Sequence, residues 1–112
     1  MKVLLLTGGS RGLGLALLEI FEAHSWTVLE FSRTGATRWN HPMDLAEPGE
    51  SLAVFQRALD RIDPANLEEI VMIHNAAAIH PIRRASRLTP EEINAHLNTN
   101  VSTAFLLCQE FL

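Results

Sequence analysis

The chain of 112 residues contains no tyrosine, a single lysine (Lys2) and a single cysteine (Cys108). One cysteine cannot form an intramolecular disulfide, so a disulfide framework is excluded and a reducing compartment, the cytoplasm, is expected. The absence of tyrosine removes the phenolic hydroxyl as a proton donor or acceptor. This restricts the acid–base chemistry that these residues can perform by themselves.

Long apolar runs, basic blocks and metal-binding spacings are also missing. The apolar run from Val3 to Leu6 is too short for a signal peptide or a membrane span. The formal net charge of −4, without a cluster of basic residues that dominates it, argues against a general nucleic-acid-binding protein. No histidine or cysteine pair has the spacing of a metal site. We therefore expect neither nucleic acid, nor membrane, nor metal as a partner.

What is present is an alternation of strand and helix patterns over residues 1–112, a length that suits one domain. Strands are predicted from Val3 to Leu6, from Trp26 to Ser32, in a short piece ending near Asp44, and from Ile70 to Ile73. Helices are predicted from Leu13 to His24, from about Glu50 to Ile62, and from Thr89 onward. This order predicts an α/β fold with a parallel sheet of about four strands.

The helical patterns also predict which residues are buried and where helices begin. In the first helix the apolar positions are Leu13, Leu17, Ile20 and Phe21. Thr89, Pro90 and Glu92 form a capping box with proline at the first helical position. The pattern then continues to Leu112 without a residue that would close the helix. We therefore expect an incomplete sheet, belonging to the N-terminal part of a larger domain.

The segment Thr7-Gly8-Gly9-Ser10-Arg11-Gly12-Leu13-Gly14 lies between the first predicted strand and the first helix. Glycines at such a position allow a tight turn and let a pyrophosphate approach the backbone. The helix that follows offers free N–H groups and a positive dipole end to an anion. The alternative is a glycine-rich turn that only connects two elements. A P-loop is excluded, because it requires Lys-Ser or Lys-Thr after its last glycine and this sequence has Leu13-Gly14-Leu15 instead.

This segment resembles the Thr-Gly-x-x-x-Gly-x-Gly fingerprint of the short-chain dehydrogenases/reductases. Three further landmarks occur in the family's order: Asp44-Leu45, Asn75-Ala76 and Asn100. The resemblance covers the whole chain, which is similar to the first half of such an enzyme. It implies a Rossmann-like, doubly wound parallel sheet. The segment from Asn75 to Ile82 is similar to carbonyl reductases of the sepiapterin and benzil reductase type.

The resemblance implies a set of cofactor-binding residues. Asp44 would receive the adenine amino group beside Leu45, and Asn75-Ala76 would lie beside the nicotinamide ribose. At the end of the second strand, Ser32 and Arg33 favour NADP, because no carboxylate repels its extra phosphate and a guanidinium can grip it. Glu30 is the competing candidate, which would suit NAD. The full set is Gly8, Ser10, Arg11, Gly12, Leu13, Gly14, Ser32, Arg33, Asp44, Leu45, Asn75 and Ala76.

Three positions have alternative interpretations. An acid after a strand, such as Asp44, is also a common turn former. Asn100 is selected by register from three neighbouring asparagines, and the family's asparagine at this position bends a helix and takes part in a proton relay. An exposed helical asparagine is the other interpretation. His74 departs from the family's Asn-Asn-Ala-Gly pattern, and we interpret it as a core residue without chemistry.

The family transfers hydride between a nicotinamide and a carbonyl or alcohol. Its serine and its Tyr-x-x-x-Lys segment would follow Leu112, so the 112 residues are predicted to bind the cofactor and to be inactive alone. A homo-oligomer through the C-terminal helix is expected, because the resemblance places that helix in a dimer interface. The alternatives are a catalytically silent dinucleotide-binding or partner-binding module and a prematurely ended gene product.

Overall fold

The computed structural model describes residues 1–35 and 37–112. Its strands are β1 (Lys2–Thr7), β2 (Thr27–Ser32), β3 (Asn40–Pro42) and β4 (Glu69–His74). Its α-helices are α1 (Gly12–Ala23), α2 (Pro48–Leu59), α3 (Pro90–Leu97) and α4 (Thr103–Phe111). A π-helical turn, Asn98–Ser102, joins α3 to α4, and short 3-10 turns occupy Pro64–Asn66 and Ala85–Arg87.

The four strands form one parallel sheet in the order β3-β2-β1-β4, which confirms the predicted Rossmann-like α/β class. β1 lies inside the sheet, where Leu5 is aligned with Leu29 of β2 and with Met72 of β4. Helices cover both faces, so the apolar run of β1 is buried completely, as its unbroken pattern predicts. All four carboxyl ends point to one edge of the sheet.

Successive side chains of β1 enter two separate hydrophobic clusters, because neighbouring residues of a strand face opposite sides of the sheet. Val3 and Leu5 pack with Phe55 of α2 and Leu107 of α4 on one side. Leu4 and Leu6 pack with Leu18 of α1 on the other side. The two clusters hold α1 and the pair α2–α4 against opposite faces of the sheet.

The buried face of α1 differs from the predicted one. Leu18 is fully buried and Leu17 and Phe21 pack beside it, whereas Leu13 and Ile20 are exposed over 68% and 56% of their surfaces. The prediction was wrong at these two positions because α1 presents only a narrow stripe to the sheet. The stripe consists of Gly14, Leu17, Leu18 and Phe21, so Leu13 and Ile20 lie beside it on the helix surface.

Two other predicted elements differ from those observed. α2 begins two residues before Glu50, with Pro48 in its first turn, and ends at Leu59. Proline is accepted there because the first N–H groups of a helix have no intrahelical partner. β4 is longer than predicted, since it extends from Glu69 to His74. It is only partly buried, because it is an edge strand of the sheet.

The C-terminal helix begins as predicted but does not continue as one α-helix. The hydroxyl of Thr89 accepts a hydrogen bond from the backbone N–H of Glu92 at 3.1 Å, which confirms the cap. The π-helical turn then interrupts the helix at Asn98–Ser102, a feature that apolar periodicity does not reveal. Within the described residues, no helix is both long enough and apolar enough to cross a membrane.

Candidate functional site

An open pocket of about 810 Å³ lies at the carboxyl edge of the sheet. In parallel α/β sheets ligands bind at this edge, where the loops after several strands converge. Loops after all four strands line the pocket, together with residues of α3 and the π-helical turn. Ten of the predicted cofactor-binding residues are among those that line it: Gly8, Ser10, Arg11, Gly12, Ser32, Arg33, Asp44, Leu45, Asn75 and Ala76.

The two remaining predicted residues, Leu13 and Gly14, lie beside the pocket without lining it. Gly14 is buried, and a Cβ there would overlap the carbonyl oxygen of Gly8 and lie 2.6 Å from the side-chain nitrogen of Asn75. Its contribution is therefore close packing of α1 against the strand ends. Leu13 is the exposed residue at the start of α1.

The glycine turn is joined to the end of β4 by three hydrogen bonds. The side chain of Asn75 donates to the carbonyl oxygen of Gly8 at 3.0 Å. The backbone N–H groups of Asn75 and Ala76 donate to the hydroxyl of Thr7 at 3.1 and 3.2 Å. Gly8 has a φ of +73°, and a Cβ there would lie 2.9 Å from the Cα of Ala76. These contacts hold two loops of the pocket against each other.

The N-terminus of α1 is suited to an anion. Arg11 is the N-cap residue and its side chain makes no capping hydrogen bond, and none of the residues described in the first turn is acidic. The first N–H groups of the helix therefore keep their hydrogen-bonding capacity and their positive end of the dipole. With the glycine turn beside it, this end fits a pyrophosphate group.

At the end of β2, the structure distinguishes the two candidates for contacting the adenosine ribose, which are the pair Ser32–Arg33 and the acid Glu30. Ser32 and Arg33 line the pocket. Glu30 is completely buried, and its carboxylate accepts hydrogen bonds from the backbone N–H of Gly9 at 2.8 Å and from the side chain of Asn40 at 2.7 Å. Glu30 is thus directed beneath the glycine turn and away from the pocket.

Sequence reasoning did not assign Gly9 and Asn40 to the site. A Cβ at Gly9 would overlap the side chain of Glu30, so only glycine leaves room for the buried acid. The available signal was an acid in an otherwise apolar strand, which requires buried donors. Which donors satisfy Glu30 depends on strand pairing, and this pairing is not visible in a local pattern.

Asp44 lines the pocket and also makes a turn. One of its carboxylate oxygens accepts a hydrogen bond from the backbone N–H of Ala46 at 3.0 Å. The carbonyl oxygen of Asp44 accepts from the hydroxyl of Ser51 at 2.8 Å. The turn-forming interpretation is therefore correct, and it holds Asp44 and Leu45 at the pocket wall.

Asn98 and Asn100 of the π-helical turn hold two different loops. The Asn100 side chain forms a pair of hydrogen bonds with the backbone of Ala78, accepting from its N–H at 2.7 Å and donating to its carbonyl oxygen at 2.9 Å. The Asn98 side chain donates to the carbonyl oxygen of Ala46 at 3.1 Å. Asn100 lies outside the main pocket, and its implied part in a proton relay stays a prediction.

Two histidines near the site have a lowered pKa. Burial, followed by the charge of Arg61, lowers the pKa of His41, and Glu30 opposes this shift. Partial burial lowers the pKa of His74. The interpretation of His74 as a core residue was wrong, because this residue ends the edge strand and only part of its side chain is covered, with its Nε2 3.3 Å from the Cys108 sulfur. Among the described residues, no group of three His, Cys, Asp or Glu could hold a metal ion.

Comparison with curated proteins gives relatives that match the whole chain. The benzil reductase ((S)-benzoin forming) of Bacillus subtilis is 30% identical over 116 residues, covering 99% of this chain and 48% of the relative. The short chain dehydrogenase/reductase nsrO of Aspergillus novofumigatus is 25% identical over 122 residues, covering 99% of this chain and 41% of the relative. The chain thus spans about half the length of the curated relatives it matches. No family model matches it.

Solved structures give the same result at the level of the fold. The TT0495 protein of Thermus thermophilus is 32% identical with a TM-score of 0.74, covering 97% of this chain and 48% of that one. A short-chain dehydrogenase/reductase of Burkholderia vietnamiensis has a TM-score of 0.81 at 20% identity, covering 96% of this chain and 54% of that one.

A 4-hydroxyisoleucine dehydrogenase complexed with NADH has a TM-score of 0.78 at 21% identity and covers 98% of this chain and 48% of that one. Identities this low show the fold alone. The curated relatives add similarity in sequence, and both are oxidoreductases by name. The resemblance to the short-chain dehydrogenase/reductase family is therefore confirmed along the chain, in sequence and in fold.

Proposed function

We propose that this chain is the cofactor-binding part of an NADP-dependent short-chain dehydrogenase/reductase that transfers hydride between the nicotinamide and a small carbonyl or alcohol substrate. The observation that carries the choice of NADP is the end of β2. Ser32 and Arg33 line the pocket there, as does Arg11 of the glycine turn, whereas Glu30 is buried. A phosphate on the adenosine ribose would meet guanidinium groups and a hydroxyl.

The remaining lining residues fit the other parts of a dinucleotide. The uncapped start of α1 and the glycine turn would receive the pyrophosphate. Asp44 and Leu45 would lie against the adenine, and Asn75 with Ala76 beside the nicotinamide ribose. NAD is the second candidate, supported by the NADH-bound dehydrogenase of the same fold. Among the residues that the structure describes at the end of β2, no acid lines the pocket, and this favours NADP over NAD.

Hydride is the chemistry that the nicotinamide supplies when bound. The proton that accompanies it has to come from a positioned side chain, and this chain contains no tyrosine. We place the serine and the Tyr-x-x-x-Lys segment in residues that follow Leu112, which is supported by relatives about twice as long. Asn100 would act beside them as a relay residue. Alone, the 112 residues should bind a dinucleotide and reduce nothing.

The gene sequence after codon 112 tests this division of labour. A downstream Tyr-x-x-x-Lys segment supports the proposal. A stop codon there, with a stable product that binds a dinucleotide, would contradict it and leave a binding module.

The single free cysteine supports the cytoplasm as the compartment. The exposed apolar residues of α4 and the adjoining turn support a homo-oligomer formed through this helix.

Substitution of Arg33 tests the choice of NADP. Arg33→Ala should weaken NADPH binding by roughly tenfold or more, because a hydrogen bond to a charged group contributes about 1.5–3 kcal/mol. NADH binding should change little, since its ribose carries no phosphate. Titration of the chain with each nucleotide measures both constants.

Arg57→Ala is the matched control, since Arg57 is exposed on α2 and does not line the pocket. It should leave both constants unchanged. An equal loss of NADPH and NADH affinity in Arg33→Ala would show that the arginine does not read the phosphate. Absence of binding by the unsubstituted chain would contradict the proposed function itself.

A further inference from the structure

Beneath the pocket, three polar side chains form a continuous hydrogen-bonded row, which we call the Glu30–Asn40–Ser32 row. Glu30 accepts from the backbone N–H of Gly9 and from the Asn40 side chain, at 2.8 and 2.7 Å. The same Asn40 nitrogen lies 2.9 Å from the Ser32 hydroxyl oxygen and 3.3 Å from the Ser32 carbonyl oxygen. The row therefore connects a fully buried acid with a residue of the pocket wall.

Two glycines make room for this row. A Cβ at Gly9 would overlap the Cγ of Glu30, and a Cβ at Gly35 would overlap the side chain of Asn40. The carboxylate of Glu30 has partners for both oxygens, as a buried charge requires. Each side chain of the row thus occupies a defined space and has defined partners.

The direction of the hydrogen bonds follows from the chemistry of the groups. An ionised carboxylate and a backbone carbonyl oxygen can only accept hydrogen bonds. Asn40 must therefore point its NH₂ group, and not its oxygen, toward Glu30 and toward the carbonyl oxygen of Ser32. The same NH₂ group then donates to the hydroxyl oxygen of Ser32.

A hydroxyl that accepts from Asn40 keeps its own hydrogen for another partner. Within residues 1–35 and 37–112, no acceptor for the Ser32 hydroxyl hydrogen is found, and Ser32 lines the pocket. The Ser32 hydroxyl can therefore donate this hydrogen to a molecule bound in the pocket. A phosphate offers only acceptors to it, whereas a ribose hydroxyl can either donate or accept.

We propose that Glu30 and Asn40 are positioning residues that hold the Ser32 hydroxyl as a hydrogen-bond donor and thereby set a preference for a phosphorylated adenosine ribose. This inference rests on the proposed function, because it assumes that the pocket binds a dinucleotide. It assigns the buried acid a role in selecting NADP, although its charge alone would repel a phosphate.

The two effects of Glu30 predict opposite results for Glu30→Gln. If charge repulsion dominates, removing the charge strengthens NADPH binding. If the row instead fixes the Ser32 hydroxyl as a hydrogen-bond donor, the variant weakens NADPH binding. A glutamine side chain has one acceptor oxygen and one NH₂ group. If the oxygen keeps the hydrogen bond from the Gly9 N–H, the NH₂ group faces Asn40. Asn40 must then turn its side-chain oxygen toward this NH₂ group. The Ser32 hydroxyl would donate to that oxygen and be lost to the ligand.

We expect Glu30→Gln to reduce the affinity for NADPH by about tenfold, with little change for NADH, in calorimetric titrations of the 112-residue chain. The double variant Glu30→Gln with Asn40→Asp fixes an acceptor toward both the introduced amide and the Ser32 hydroxyl. It should therefore lack the preference for NADPH as Glu30→Gln does, while the affinity for NADH changes little in both. If Glu30 only supported the fold, both nucleotides would lose affinity together.

Ser32→Ala provides a test that does not depend on the buried residues. It should reduce the preference for NADPH by about the same factor as Glu30→Gln, and adding Glu30→Gln to it should change the ratio of the two affinities no further. Stronger NADPH binding in Glu30→Gln, an equal loss for both nucleotides, or an unchanged preference in Ser32→Ala would overturn the inference. Titration of the unsubstituted chain distinguishes failure of this inference from failure of the proposed function. If the unsubstituted chain binds no dinucleotide, the proposed function itself is wrong.

Discussion

Two neighbouring glycines of the turn after β1 are required for different reasons. Gly8 has a left-handed φ of +73° and lies against Ala76, so both its backbone conformation and its surroundings exclude a side chain. Gly9 has no such φ, and what excludes a side chain is Glu30 beneath it. At this scale the role of a residue depends on what lies in the space where its Cβ would be.

Gly9→Ala should destabilise the fold by about 1–3 kcal/mol, since a methyl group there has to displace a buried carboxylate and the Leu6 side chain. Urea unfolding followed by circular dichroism measures the change. Gly49→Ala is the matched control, because a Cβ at Gly49 meets nothing within 4 Å. The control should be neutral or stabilising by up to about 1 kcal/mol. Equal effects of both substitutions would contradict the packing argument.

Among the elements, the π-helical turn Asn98–Ser102 holds two of the loops that line the pocket. Its two asparagines are separated by one residue and bind two different loops, the one at Ala46 and the one at Ala78. Thr103, at the start of α4, adds a hydrogen bond to the carbonyl oxygen of Leu45 at 2.6 Å. The interruption of the helix thus coincides with the contacts that hold both loops.

Asn100→Ala should release the loop at Ala78, because it removes two hydrogen bonds to the Ala78 backbone. The amide of Ala78 should exchange with solvent markedly faster, and the free energy of unfolding should fall by about 1 kcal/mol. Hydrogen exchange followed by NMR measures the first effect. Asn94→Ala, at an exposed position on α3, should leave the exchange of Ala78 unchanged. Unchanged exchange in Asn100→Ala would contradict this assignment.

At the scale of the whole molecule, the covered interior of the sheet contrasts with a row of exposed apolar side chains on the C-terminal helical segment. The sheet interior around β1 is covered by α1 on one face and by α2 with α4 on the other. Along α3, the π-helical turn and α4, Leu97, Val101 and Phe105 are exposed over 53%, 49% and 71% of their surfaces. A row of exposed apolar side chains on one helical segment is typical of an interface.

Phe105→Glu should weaken self-association of the chain, since the proposed homo-oligomer would bury Phe105 and an unpaired carboxylate resists burial. Sedimentation velocity over a range of concentrations measures the association. Ile20→Glu, at an exposed position on α1, is the control and should associate like the unsubstituted chain. A monomer at every concentration would contradict the proposed interface.

Much of the fold could be predicted because the relevant signals are local. Four strands, the helices between them, the Thr89 cap and the glycine turn follow from periodicity and turn chemistry over a few residues. The predicted cofactor residues likewise gather around one pocket, because parallel strands bring the loops after their carboxyl ends together. Exposure of Leu13 and Ile20 was not predicted, since it depends on which helical face α1 turns toward the sheet.

The sequence by itself determined the class of fold and the place of the pocket, since both depend on the order of elements and on the turn after β1. Only the tertiary structure decided which polar groups meet. Glu30 finds Gly9 and Asn40, and Asn100 finds Ala78, through strand pairing and helix packing that join residues far apart in the chain. A buried acid in a strand predicts that donors exist. Only the folded sheet shows which residues supply them.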